Sequence, residues 1–267
     1  MDNYIPISYG QLALASALIL INIVLSLILR LGLEQHLWVA SLRMVVQLLL
    51  VGYVLEWVFQ LHNPVWVLLV ALSMAVMAGT SAVNRTQRRY YSIYWHSFVS
   101  ILVAAFAVTG LCVTGIIQVQ PWYDPQYLIP LLGMILGNAL TGTSLALDRF
   151  MENSLTSQGQ TEALLALGAT RWEAAHPTIK EALRTGMIPT INSMMVMGLV
   201  SLPGMMTGQI LAGASPTDAV RYQIVIIFAI AAGTALSAIA VVLLAFQVLF
   251  NSQHQLRVEK LHKAKTS

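Results

Sequence analysis

Long apolar stretches separated by short polar segments run along the whole chain. Seven of these stretches are near or above the ~20 residues that a helix needs to cross the hydrocarbon core of a bilayer. A helix is required there because lipid cannot hydrogen-bond an exposed backbone. The pattern therefore predicts an all-α, polytopic transmembrane helical bundle of about seven spans. The predicted spans are residues 10–29, 38–59, 64–83, 98–118, 126–147, 187–212 and 222–250.

The basic residues predict how these spans are oriented. Twelve of the 14 Lys and Arg residues fall on one side of the membrane when the N-terminus is placed outside. Arg221 falls on the other side, and Arg43 lies within the second span. Because Lys and Arg accumulate in cytoplasmic loops, we expect the N-terminus outside and the C-terminus inside. The twelve residues are Arg30, Arg85, Arg88, Arg89, Arg149, Arg171, Lys180, Arg184, Arg257, Lys260, Lys263 and Lys265.

Composition supports a membrane protein and argues against other classes. Only 9% of the 267 residues are charged, whereas soluble domains average about 25%. The net charge of +3 is what basic cytoplasmic loops produce, so we expect a lipid bilayer and no nucleic acid as partner. Cys112 is the single cysteine and cannot form an internal disulfide. We expect an uncleaved first span, because residues 1–10 lack Lys and Arg and the first apolar run is too long for a signal peptide.

The longest predicted cytoplasmic segment, about 149–186, has the pattern of two helices joined by a tight turn. An Ala- and Leu-rich run ends at Gly168, a residue type that suits the left-handed position closing a helix. Thr170 and Glu173 have the spacing of a capping box and start the second helix. Pro177 must kink or split that second helix. We therefore expect a helix-turn-helix at the inner face of the membrane.

This segment is similar to the coupling loop of ABC importer permeases. The family pattern is Glu-Ala-Ala, three residues, Gly, nine residues, Ile, one residue, Leu-Pro. Glu162, Ala163 and Gly168 match it, whereas Leu164 replaces the second Ala and Thr178 stands where Ile is expected. An ordinary amphipathic hairpin at the membrane surface is the alternative. The expected partner contacts are Glu162, Ala163, Leu167, Gly168, Ala169, Arg171 and Trp172.

Longer strings in the second half of the chain carry a closer resemblance. The runs 133–147, 162–172, 181–195 and 201–213 are similar to the UPF0014 family of ABC permeases. Bacterial members of that family resemble the permease of the Fet iron-export system, and plant members are aluminium-tolerance proteins. The resemblance extends over nearly all of the chain. From the spans and the polar end of the sequence we expect a permease domain over residues 1–250, followed by the polar cytoplasmic tail 251–267, whose composition is that of a linker.

The same resemblance implies partners and a substrate class. It implies a multi-pass permease of the bacterial inner membrane, present as a homodimer and paired with an ABC ATP-binding subunit. ATP and Mg²⁺ would bind to that subunit and no cofactor to this chain. Iron export is the implied bacterial role. Plant relatives are linked to nucleotide-sugar movement, which leaves a different substrate open.

The chain lacks the motifs of ATP binding and of common enzymes. None of its four lysines follows a glycine, so it has no P-loop. It also has no His-Glu-x-x-His or Gly-x-Ser-x-Gly motif, so we expect a transporter subunit and no enzyme. A gradient-driven secondary transporter is an alternative, but that class usually needs intramembrane acids, and only Glu56 and Asp148 lie near spans. A membrane enzyme or assembly factor is a third possibility.

Polar residues inside the spans are candidates for the translocation path. Arg43, with Gln47 one turn on, would cost at least ~2.5–3.5 kcal/mol at the bilayer centre. It either lines a pathway, pairs with a carboxylate such as Glu56, or reaches the inner interface. Polar residues of the fifth and sixth spans either line the path or hold helices together. The candidate path residues are Arg43, Gln47, Asn138, Thr141, Asn192, Met194, Met195, Pro203, Met205, Met206 and Gln209.

The sixth predicted span combines a helix breaker, small residues and methionines. Pro203-Gly204 either opens the backbone beside a cavity or makes a simple kink. Gly204 with Gly208, like Gly133 with Gly137, has the spacing of close helix packing. Thioethers are soft ligands that suit copper(I) best, although methionine more often fills irregular packing. The candidate metal ligands are Met194, Met195, Met205 and Met206.

Overall fold

Helices account for most of the chain that the computed structural model describes, which is residues 8–61, 63–251 and 253–263. The helices are α1 (Tyr9–Ile28), α2 (Glu34–Leu61), α3 (Pro64–Asn84), α4 (Ile93–Gly110), α5 (Pro125–Thr156), α6 (Gln158–Ala166), α7 (Arg171–Val196), α8 (Gly204–Leu211) and α9 (Pro216–Leu249). A π-helical turn, Leu111–Ile116, extends α4, and a 3₁₀ turn covers Val258–Lys260. Two short strands, β1 (Arg88–Arg89) and β2 (His262–Lys263), form an antiparallel pair.

Six helices in the described residues are long and apolar enough to cross a membrane, which confirms the all-α polytopic bundle. They are α1, α2, α3, α4 with its π-helical turn, α5 and α9. The sixth predicted span, 187–212, is instead divided between the end of α7 and α8 by the non-helical segment 197–203. Gly198 adopts a positive φ of 81° there, and Pro203 precedes the first residue of α8. The predicted interruption of this span is confirmed. The count of seven spans is not, because among the described residues neither part of 187–212 belongs to a helix long and apolar enough to cross a membrane.

Three of the long helices begin in the same way. Asn63, Asp124 and Ser215 each cap a helix by accepting a hydrogen bond from a backbone N–H of its first turn. Each of these residues is followed by proline at the first helical position. Proline fits that position because its missing N–H would have no partner inside the helix. These local signals fix the starts of α3, α5 and α9.

Helix α5 lies at the centre of the bundle and packs against α3, α4, α7 and α9. Its closest approach to α7 joins Gly142 to Gly186, where a Cβ on Gly186 would lie 2.7 Å from the Gly142 carbonyl oxygen. Thr234 of α9 fills the space beside Gly142. Small residues let helix backbones approach closely in membranes. Gly142 and Gly186 therefore set the spacing of α5 and α7.

The glycine pairs expected to pack closely do not do so within this chain. A Cβ on Gly137, Gly204 or Gly208 would meet nothing within 4 Å, and one on Gly133 would meet only the Met74 methyl group at 3.2 Å. The reason is that Gly137, Gly204 and Gly208 point away from the neighbouring helices and are exposed.

The buried side chains form two clusters along the bundle. One joins α3, α4, α5 and α9 around Ile101, Leu132 and Ile226. The other joins α5, α7 and α9 around Phe150 and Val241. Helices α1 and α2 contribute little to either cluster and lie at the edge of the bundle.

Three of the predicted cytoplasmic segments, those around 85–92, 149–186 and 251–263, meet at one end of the bundle, which we call the hairpin end. The Gln87 N–H donates to the Asp148 carboxylate at 2.8 Å and joins the α3–α4 loop to α5. The strand pair joins that loop to the tail. This grouping agrees with the sorting of basic residues in the sequence, while the assignment of this end to the cytoplasm stays a prediction.

The polar tail is folded where the structure describes it, contrary to its linker-like composition. Phe250 and Leu256 form a backbone bridge, and Leu256 and Leu261 pack on the cluster around Phe150. These two leucines explain the difference, because they give a polar segment apolar surface to bury. Lys265 lies outside the described residues.

Candidate functional site

A glycine turn with defined geometry joins α6 to α7. Gly168 has a φ of +94°, a left-handed conformation that other residues rarely adopt. The Ala169 N–H donates to the Leu164 carbonyl at 3.0 Å, and the Gly168 N–H donates to the Leu165 carbonyl at 3.1 Å. These two bonds form a Schellman motif. The left-handed glycine predicted from sequence is confirmed.

The capping box that opens α7 is also present. The Glu173 N–H donates to the Thr170 hydroxyl at 3.3 Å, and the Thr170 N–H donates to the Glu173 carboxylate at 2.8 Å. The hydrogen bonds from the Thr170 backbone and hydroxyl lower the pKa of the Glu173 carboxyl below its ordinary value. The α6–α7 hairpin, meaning α6, the turn 167–170 and the first two turns of α7, therefore has a fixed shape on both sides of its turn.

The sequence predicts that Pro177 kinks or splits α7. The helix runs without interruption through this proline, so the split is wrong, while the kink stays a prediction. Proline removes one hydrogen bond and crowds the preceding turn. Ala174, Ala175, Thr178 and Ile179 are buried around it, and this packing holds the helix together.

The tip of the α6–α7 hairpin presents an apolar side chain to the outside. Leu167 is 85% exposed, and Ala163 and Gly168 beside it are also exposed. Glu162 accepts a hydrogen bond from the Gln158 amide at 2.7 Å and lies on the surface of α6. An exposed leucine on a rigid polar hairpin is a feature that a partner protein can bury.

The other expected contact residues of this hairpin are Ala169, Arg171 and Trp172, of which Arg171 binds the tail and Trp172 packs on the end of α9. The Arg171 N–H donates to His254 Nδ1 at 2.8 Å, and its guanidinium donates to the Asn251 carbonyl at 3.3 Å. The same guanidinium lies over the Phe246 ring, 5.7 Å from its centroid. Trp172 meets that ring edge-on at 5.8 Å and remains 47% exposed. Ala169 is half-buried. The contact between hairpin and tail was not predicted from the sequence. Leu256 and Leu261, two apolar residues in a polar segment, were the signal that the tail packs on the bundle.

We expect Arg171→Ala to release the tail from the hairpin, because the variant loses both the guanidinium hydrogen bond and the stacking on Phe246. Backbone amides 253–263 should then exchange with deuterium about tenfold faster, as one charged hydrogen bond accounts for roughly 1.5 kcal/mol. Hydrogen exchange followed by mass spectrometry measures this. Arg184→Ala, an exposed arginine on the same helix, serves as the control, and equal exchange in both variants would contradict the contact.

Arg43 and Gln47 lie on the exposed surface of α2. They share an open groove of about 630 Å³ with Gln35 and His36. Glu56 lies 13 residues further along the same helix, about 20 Å away, so the proposed pairing of Arg43 with Glu56 is wrong. The ion pairs within the described residues are Arg149–Glu181 at 3.6 Å and Arg221–Asp218 at 3.5 Å.

The polar candidates of α5 bond within their own helix. The Asn138 amide donates to the Met134 carbonyl at 2.9 Å, and the Thr141 hydroxyl donates to the Gly137 carbonyl at 3.1 Å. These bonds do not hold α5 to another helix. Asn192 lies exposed on α7.

The structure brings Met194, Pro203 and Met206 together in one cavity of about 490 Å³. We call it the α7–α9 pocket, because the end of α7, the 197–203 segment, α8 and α9 enclose it. Met197 and Gln223 also line it and were missed in the sequence. Little in the sequence marks them as pocket residues, because Met197 is one of several methionines in its span and Gln223 stands near the start of a span, where polar residues are common.

The remaining candidates lie elsewhere. Met195 is 71% exposed, and Met205 packs on the core cluster around Leu132. Gln209 holds its amide oxygen buried with no hydrogen-bond partner in the described part of the chain. The four methionines therefore do not form one ligand set. The described residues also contain no group of three or more His, Cys, Asp or Glu placed to hold a metal ion.

Comparison with known proteins identifies relatives over nearly the whole chain. The model of "Uncharacterised protein family (UPF0014)" matches residues 9–250. The UPF0014 membrane protein slr1647 of Synechocystis is 43% identical over 84% of this chain and 86% of its own length. The probable iron export permease protein FetB of Escherichia coli is 34% identical over 96% and 98%. The protein ALUMINUM SENSITIVE 3 of Arabidopsis thaliana is 33% identical over 92% and 88%. No solved structure matches.

Proposed function

The chain belongs to the UPF0014 family of membrane proteins, and from that premise we propose that it is the permease subunit of an ABC transporter that exports iron or a related metal. The family and the six apolar helices make it a multi-pass protein of the bacterial inner membrane. Two copies of the chain would assemble with separate ATP-binding subunits, which hold ATP and Mg²⁺. Iron is proposed because a relative of full-length similarity is named a probable iron export permease.

The observation that carries the proposal is the mechanical path from the α6–α7 hairpin to the α7–α9 pocket. Helix α7 starts at the glycine turn and runs for 26 residues, about 39 Å, to the 197–203 segment. A partner that moved the exposed tip at Leu167 would therefore displace the wall of the pocket. Hinges in such transitions are a few residues at the ends of rigid elements, which describes the 197–203 segment at the far end of α7, while the turn at Gly168 holds the hairpin in a fixed shape.

The position of the acidic residues favours this proposal over a gradient-driven transporter. Asp148 bonds the Gln87 backbone at the hairpin end, and Glu56 is exposed near the end of α2. Neither lies beside the pocket, where a coupling proton or sodium ion would need a carboxylate. ATP hydrolysis in a partner chain is the energy source that fits the hairpin.

Transport in inside-out membrane vesicles tests the proposal. Vesicles that contain this chain and the proposed ATP-hydrolysing partner subunit should accumulate radioactive Fe(II), kept reduced with ascorbate, only when ATP is supplied. A matched preparation carries an alanine in place of the P-loop lysine of the ATPase, and its uptake should fall to background. Uptake of equal rate without the ATPase would support the gradient-driven alternative instead.

A further inference from the structure

The α7–α9 pocket lies towards the end of the bundle opposite the hairpin end. Val196, the last residue of α7, lies ten residues beyond Gly186, about 15 Å along the helix. Across the pocket, Gln223 lies about 10 Å from the start of α9 at Pro216. The Arg221–Asp218 ion pair marks the polar end of that helix. The pocket therefore has a polar edge near Gln223 and a deeper apolar part.

The lining of this pocket is almost entirely apolar. It includes the thioethers of Met194, Met197 and Met206 and, deeper in the bundle, Ile227 and Phe228. Among the described residues that line it, none is acidic, basic, histidine or cysteine. Its volume of about 490 Å³ lies inside the range of roughly 300–1,000 Å³ that is usual for small-molecule sites. Such sites combine an apolar wall with a few polar groups that fix orientation.

Gln223 supplies one such polar group. The residue is 7% exposed, and its side-chain oxygen is buried with no hydrogen-bond partner in the described part of the chain. A buried carbonyl oxygen without a donor is unfavourable, so a ligand that offers an O–H or N–H is stabilised there.

A bare iron ion does not fit this lining. Iron(II) prefers imidazole and oxygen ligands, whereas thioethers select copper(I). Among the described lining residues, the Gln223 amide oxygen is the sole hard side-chain donor, and the cavity is far wider than a single ion. Met194, Met197 and Met206 line an open cavity together with apolar residues that are themselves exposed, such as Leu202 and Phe228.

We propose that the α7–α9 pocket binds an uncharged, largely apolar organic molecule whose O–H or N–H donates to Gln223. Iron that passes through this pocket would be enclosed in such a molecule. The inference rests on the proposed export function in one respect, namely that the bound molecule leaves the cell. Binding to the pocket can be measured on this chain alone.

Equilibrium binding of tritiated N-phenyl-1-naphthylamine tests this proposal. The probe is uncharged and apolar and carries one N–H; its N-methyl derivative has no donor. The purified full-length chain in lipid nanodiscs should bind the N–H probe saturably, after subtraction of empty nanodiscs, and should bind the methylated probe about tenfold more weakly. Gln223→Leu should bind both probes with equal affinity, because its preference for the donor is lost.

A cavity-filling pair provides the control for Gln223→Leu. Ile224→Trp fills the pocket and should abolish saturable binding, whereas Ile239→Trp on the same helix should not. Ile224 and Ile239 are similarly exposed, at 49% and 41%, and Ile239 does not line the pocket. Loss of binding in both variants, or only non-saturable partition in wild type, overturns the proposal.

Silver(I) binding tests the alternative that the methionine thioethers of the pocket bind a soft metal ion instead of an organic molecule. Stoichiometric silver binding that Met206→Leu removes, together with no saturable arylamine binding, would show a soft-metal site and refute an organic ligand. We expect no such silver binding. None of these measurements uses ATP or iron, so their failure leaves the proposed export function to be judged by vesicle transport.

Discussion

Gly168→Pro is expected to abolish ATP-driven transport while the protein still inserts in the membrane. Proline fixes φ near −65°, whereas Gly168 has a φ of +94°. It also removes the N–H that donates to the Leu165 carbonyl. The Schellman turn cannot form, so α6 and the start of α7 lose their fixed relation. We expect transport-coupled ATP turnover of the reconstituted complex to fall at least about tenfold, as one lost interaction of 1.4 kcal/mol gives that factor.

Two further variants separate turn geometry from general damage. Gly168→Asn should retain much of the turnover, because asparagine is the other residue type that tolerates the left-handed conformation. Gly159→Ala lies in the first turn of α6, where a Cβ meets nothing within 4 Å, and should behave as wild type. Normal coupled turnover in Gly168→Pro would refute the coupling role of the hairpin.

Gly186→Ala is expected to destabilise the bundle by roughly 1–3 kcal/mol, the usual cost of overpacking. The added Cβ would lie 2.7 Å from the Gly142 carbonyl oxygen and 2.8 Å from the Ala146 Cβ. Both contacts are to α5 backbone or to an atom fixed to it, so the helices must separate. Thermal unfolding in detergent, followed by circular dichroism, measures the loss.

Gly137→Ala on α5 is expected to increase the stability of the bundle slightly. Its Cβ meets nothing within 4 Å, and alanine favours a helix over glycine by up to about 1 kcal/mol. The two substitutions should therefore change stability in opposite directions. A decrease of equal size in both would show that the α5–α7 contact at Gly142 does not set the packing.

Local sequence signals predicted the fold class and the shape of the hairpin. Apolar runs gave the spans, and Gly168, Thr170 and Glu173 each act on backbone groups within a few residues. Such signals depend only on residues that are close together in the sequence. They also identified the interruption near Pro203, where the missing N–H of proline and the adjacent Gly204 both disfavour a continuous helix.

Features that depend on two distant segments could not be predicted from one sequence. Gly142 and Gly186 belong to different helices, whereas glycine spacing along a single helix predicted close packing at other glycines. The continuity of α7 through Pro177 depends on packing against α5 and α9, which outweighs a local preference. The α7–α9 pocket likewise joins Met206 to Gln223 only because the 197–203 segment turns α8 back towards α9.

Helix α7 links the parts of the molecule to which we assign different roles. Its first turns hold the capping box and contact the tail through Arg171, its middle contacts α5 at Gly186, and its end lines the pocket through Met194. A displacement at the hairpin is therefore transmitted past a tightly packed contact. We therefore expect a movement of the hairpin to be transmitted to the pocket through α7 without unfolding of that helix.

Photo-cross-linking from position 167 tests most directly whether an ATP-hydrolysing subunit binds the hairpin. A photoreactive amino acid would replace Leu167 or, as a control, Leu199, which is 87% exposed in the 197–203 segment. We predict a covalent adduct with the ATPase from position 167 and none from position 199. An adduct from position 199 alone, or from neither position in an assembled and active complex, would contradict the account.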